Sequence, residues 1–147
     1  MFPSHDRLGG PTPVVSTDRV ELLGVIRRFE EAVAAAGVPG WRARLIAEMD
    51  SLRDAVAAHI RVTEGPDGLY AELQDTAPRL AGPVARLVRE HATIAAELDS
   101  LTPHLTAWEP PAVAPGTQRL RTHLATHRRR GADLLYEAYS YDLGGET

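Results

Sequence analysis

The chain contains no cysteine. Disulfides, thiolate metal sites and cysteine nucleophiles are therefore excluded. It contains no lysine either: all 16 basic residues are arginine. A lysine Schiff base and a lysine general base are excluded with it, and the arginine bias reads as a habit of the source composition. No stretch approaches the roughly 18 consecutive apolar residues of a membrane span. The segment MFPSHDRLGGPTP has no apolar core of the kind a signal peptide needs. A cytoplasmic protein with no membrane contact is the expectation. A net charge of -4 argues against nucleic acid as a partner. The nucleophile-elbow pattern GxSxG is absent and no serine lies beside a histidine in such a context. No catalytic residue is assigned. Nothing alternates with period two over a useful length, so no sheet is expected.

What is present is ordinary for a globular domain: 147 residues, 44% apolar and 24% charged. That length makes one domain with a real core. Pro3, Gly9, Gly10, Pro11 and Pro13 mark residues 1–17 as a flexible tail. A first helix is expected at about 18–36, with Asp18 and Glu21 as a capping pair. Its stripe Leu22, Ile26, Phe29, Val33 is wholly apolar, so it offers no ligand, and Gly37 ends it. A second helix follows at about 41–63, broken by Gly65-Pro66-Asp67-Gly68. A short helical piece is expected at about 68–75 and a third long helix at about 83–101, with Pro83 in its first turn. Pro103 to Gly116 reads as a loop, and the fourth long helix as about 117–140. The fold class is all-α, an antiparallel four-helix bundle over 18–140 with a C-terminal tail at 141–147.

Three of these helices carry histidine where the packing stripe calls for an apolar residue. The stripes run Leu45, Met49, Leu52, Val56, His59; then Val84, Leu87, His91, Ile94, Leu98; then Leu120, His123, Leu124, His127, Leu134. A buried histidine needs a partner. His91 and His127 each lie ten residues from one end of their expected helices, roughly 15 Å, and so stand level in antiparallel helices. His59 is offset by roughly one turn, and His123 shares a face with His127. The imidazoles can converge on one metal ion, or each can be an ordinary core histidine with its own hydrogen bond. Glu64 is the carboxylate nearest His59 in sequence. Arg128-Arg129-Arg130 reads as a solvated face, and Tyr70 and Tyr136 as groups able to donate a hydrogen bond into the core.

On LRDAVAAHIRVTE (52–64), LVREHATIAAELDSL (87–101) and LRTHLATHRRR (120–130), the chain resembles a hemerythrin-like (HHE cation-binding) domain over roughly residues 18–140. The resemblance implies a four-helix bundle with a non-haem iron centre that binds oxygen or nitric oxide, or stores or senses iron. By position it implies His59 and Glu64 as the second-helix ligands, His91 as the third-helix ligand, and His127 with His123 as the fourth. This chain lacks the family's first-helix histidine, and Arg128 to Gly131 stand where the fourth-helix carboxylate belongs. A mononuclear centre follows more readily than a di-iron one, and nitrogen-rich ligation admits zinc as well as iron. The expected partner is a small diatomic ligand or a metal ion. The alternative is a metal-free bundle that acts as an interaction or regulatory module, with which a homodimer is compatible.

Overall fold

The computed structural model describes residues 13–140. Five α-helices follow in order: α1 (Pro13–Ala34), α2 (Trp41–Glu64), the short α3 (Leu69–Thr76), α4 (Ala81–Leu101) and α5 (Pro110–Leu135). A 3-10 turn precedes α4 (Pro78–Leu80), another follows it (Thr102–Thr106), and a π-helical turn closes α5 (Tyr136–Ser140). The four long helices make the antiparallel bundle, and no strand occurs among the described residues. The helix α1 packs chiefly on α2 and α4 on α5, with α2 against α4 and α1 against α5 closing the ring.

Two boundaries differ from the sequence expectation. The first helix begins at Pro13, so Asp18 is inside α1 and does not cap it. Residues 13–17 are helical, while 1–12 and 141–147 lie outside the described residues. The last helix begins at Pro110, inside the expected loop. Proline lacks only an N–H that the first turn of a helix leaves unpaired, so Pro110 and Pro111 start α5 without penalty. Pro115 lies deeper in the helix and removes one backbone bond, which the packing of Val113 and Thr117 on the bundle offsets.

Glycine conformation sets the first turn. Gly37 and Gly40 hold φ of 101° and 78°, the left-handed region open to glycine. They turn α1 back along α2. The apolar interior is split. One cluster gathers Phe29, Leu45, Met49, Leu52, Ile94 and Leu120. The other gathers Val15, Leu69, Tyr70, Leu73, Leu87 and Leu134. Going along α4, Leu87 belongs to the second cluster and Ile94 to the first, and His91 lies between them. In the same way His127 separates Leu124 from Leu134 on α5. The histidines therefore occupy a polar layer between two apolar ones.

Candidate metal centre

The bundle brings His59, His91 and His127 together. Their ring centroids stand 4.9 Å apart for His59–His91, 5.5 Å for His59–His127 and 4.6 Å for His91–His127. One ring nitrogen from each lies within 4.8 Å of the other two. All three residues are buried, His91 almost completely.

Each ring is held from behind by a carboxylate. Asp18 accepts from His59 Nδ1 at 2.7 Å, Glu64 from His91 Nδ1 at 2.5 Å, and Glu90 from His127 Nδ1 at 2.7 Å. A carboxylate accepts, so the proton of each ring sits on Nδ1 and the lone pair on Nε2. Every pair crosses to the next long helix: α1 to α2, α2 to α4, α4 to α5. Glu64, near His59 in sequence, serves His91; Glu90, adjacent to His91, serves His127. Glu90 is held on its other side by Arg130. Burial raises the Glu90 carboxyl, but the hydrogen bonds and charges of His127 and Arg130 outweigh it and hold the group below the usual carboxylate range.

Two of the rings resist protonation. Burial, then the neighbouring His127 and His59, push the His91 imidazole down to about 3. Burial lowers His127 as well, against the pull of its Glu90 bond. His91 Nε2 is buried and has no hydrogen-bond partner among the described residues. His127 Nε2 and His59 Nε2 lie 3.4 Å apart. Two nitrogens bound to one tetrahedral ion at the usual 2.0–2.1 Å stand about 3.3–3.4 Å apart. The donor set fits one ion after a contraction of about 1.4 Å at the widest edge.

The remaining expected site residues fall differently. Glu64 lies behind His91, with its oxygen on Nδ1, because five residues of rotation carry it away from His59. His123 is one turn along α5 from His127, half-exposed, with Nδ1 on Glu97 at 2.7 Å. It is not in the three-histidine group. Tyr70 of α3 stacks on His91, at 5.9 Å and 18° between rings. Burial pushes its hydroxyl above the ordinary tyrosine range, against a hydrogen bond with Thr63, and the carboxylates of Glu64, Glu90 and Asp18 push the same way. Tyr136, its expected counterpart, is exposed. Asp18 and Glu90 escaped the sequence reading. Asp18 was legible in principle: it lies one turn before Leu22 and extends the α1 stripe.

The hemerythrin HHE cation-binding domain model matches residues 10–139. The chain belongs to that family. No curated protein and no solved structure matches the chain. As a hemerythrin-family bundle it places three histidines able to hold a metal ion between its helices. No described helix is long and apolar enough to cross a membrane.

Proposed function

We propose that this hemerythrin-family bundle binds a single non-haem iron ion through His59, His91 and His127, and uses the open coordination positions to bind or sense a small ligand such as oxygen or nitric oxide. Zinc competes for the same nitrogen donors. The observation that carries the reading is the common arrangement of the three rings: Nδ1 on a carboxylate, and the three rings clustered between the helices. Hydrogen bonds of that kind fix the tautomer and raise the basicity of a ligating nitrogen. Each of these carboxylates has an oxygen on a histidine Nδ1, and Glu90 has its second oxygen on Arg130. Iron, when bound, supplies the affinity for a diatomic ligand. The protein orients the donors, and the apolar layers on both sides exclude water.

The test is metal content of tag-free protein after anaerobic reconstitution with ferrous iron. About one iron per chain is expected, with occupancy abolished in His91→Ala. Asp18→Ala is expected to weaken binding 10–100-fold, the usual cost of losing an outer partner. Two irons per chain with an oxo-bridge absorption band would overturn the mononuclear site.

One observation favours a second reading. A proton shared between His59 Nε2 and His127 Nε2, 3.4 Å apart, would satisfy two of the rings without metal. The bundle would then be a metal-free interaction or regulatory module. In that case the protein takes up no metal, and replacing the three histidines by leucine or phenylalanine leaves the fold in place.

A further inference from the structure

A second polar feature lies outside the histidine layer, in the groove between α4 and α5. Its volume is about 270 Å³. Helical spacing puts Arg86, Arg89, Glu90 and Thr93 of α4 on one wall, and Thr126 and Arg130 of α5 on the other. Three arginines thus face one glutamate, and that glutamate is already bonded to His127 and Arg130. Arg86 and Arg89 are exposed and make no ion pair with a described residue. His123 closes the end of the groove, with its Nδ1 on Glu97.

The geometry points to a binding site for a small multivalent oxyanion, a phosphate or a polycarboxylate, held by Arg86, Arg89 and Arg130. Guanidinium groups bind such anions through paired, charge-assisted hydrogen bonds. The Thr126 hydroxyl can add a donor, while that of Thr93 donates to the Arg89 carbonyl oxygen. The groove has room for a small anion. The acidic chain as a whole makes this local excess of positive charge more telling. Arg128 and Arg129 point to solvent, so the arginine run is divided: only Arg130 enters the groove.

The site is linked to the histidines through a chain of contacts, Arg130 to Glu90 to His127. An anion that draws Arg130 toward itself leaves Glu90 to bond His127 Nδ1 more strongly. The inward Nε2 then becomes a better donor. By reciprocity, whatever the His127 ring binds strengthens the anion site by the same factor. The oxyanion site itself does not rest on the metal reading; the link concerns the ring whether or not a metal is bound.

The experiment is calorimetric titration of metal-free protein with inorganic phosphate at low ionic strength, and with citrate in parallel. Binding of either with Kd below about 1 mM is expected. The stronger of the two identifies the anion as phosphate-like or carboxylate-like. In the double variant Arg86→Gln/Arg89→Gln, whose side chains are exposed and unpaired, affinity is expected to fall at least tenfold with an unchanged circular dichroism spectrum. No binding of either anion, or equal binding by the variant, overturns the site. Nitrogen-15 shifts of the His127 ring read the link: they are expected to move on saturation with the anion in the wild type and not in Glu90→Gln. Unmoved wild-type shifts overturn the link. Failure of iron uptake leaves these readouts intact, so the two readings fail separately.

Discussion

A neutral imidazole buried between apolar layers is a stored sensitivity to acid. His91 has a folded-state pKa of about 3 against an ordinary 6.5, and His127 is lowered too. Between those values the unfolded chain binds more protons than the folded one. Stability is therefore fully present above about pH 6.5 and is lost as pH falls below it, by about 1.4 kcal/mol per pH unit for each ring that stays neutral. Glu90, held low by its partners, adds a loss of the same sign at still lower pH. Urea denaturation of chelator-treated protein at pH 7.5, 6 and 5 should show a steep decline, and His91→Leu a shallower one. A flat profile over that range would contradict the buried neutral layer. At this scale the sequence was legible for the clustered histidines and not for the carboxylates behind them. His59, His91 and His127 follow from stripes within single helices. Their carboxylates belong to other helices, and the two nearest in sequence, Glu64 and Glu90, serve the histidine of the next helix along. No spacing rule within one helix can report that exchange.

The elements around the layer are fixed by close approaches of backbone. Gly68 precedes α3, and a Cβ placed on it would meet the Val62 carbonyl oxygen at 2.4 Å and that of Thr63 at 2.8 Å. Both are backbone atoms of α2, so they cannot yield as a side chain would. The close contact is what brings Tyr70 down onto His91. Gly68→Ala is expected to destabilise the protein by about 1–3 kcal/mol, within the usual range for overpacking. It should also loosen α3, seen as faster amide exchange at Leu69, Tyr70 and Leu73 than in the rest of the bundle. Uniform exchange across all helices would show that α3 does not depend on this contact. The turn GPDG was legible as a helix stop; that it is also a packing contact was not, because the clash involves carbonyl groups that no residue pattern reveals. The start of α5 was misplaced for a related reason. A run of prolines is a loop signal in isolation, yet at a helix start those residues omit only bonds the first turn does not make.

For the molecule as a whole, the fold class followed from four amphipathic stripes joined by mostly short links. What the stripes could not show is that the core is divided into two apolar clusters by the histidine layer. Such a layer contributes little to stability until its inward nitrogens are engaged. Ligand present at 100 times its Kd stabilises the folded state by about 2.7 kcal/mol, which for a chain of this size raises Tm by about 10 °C. Heating scans with and without ferrous iron, under argon, should show that rise in the wild type and none in His127→Leu. Equal scans would mean that the layer is engaged without metal. The cross-helix pairs carry one more consequence, for the order in which the molecule is made. In each pair the carboxylate precedes its histidine along the chain: Asp18 before His59, Glu64 before His91, Glu90 before His127. Synthesis begins at the N-terminus, and segments fold as they emerge. Each of these three histidines thus leaves the ribosome to find its acceptor already outside. The third histidine arrives only with α5, so the three-histidine layer is complete only once the last helix is out.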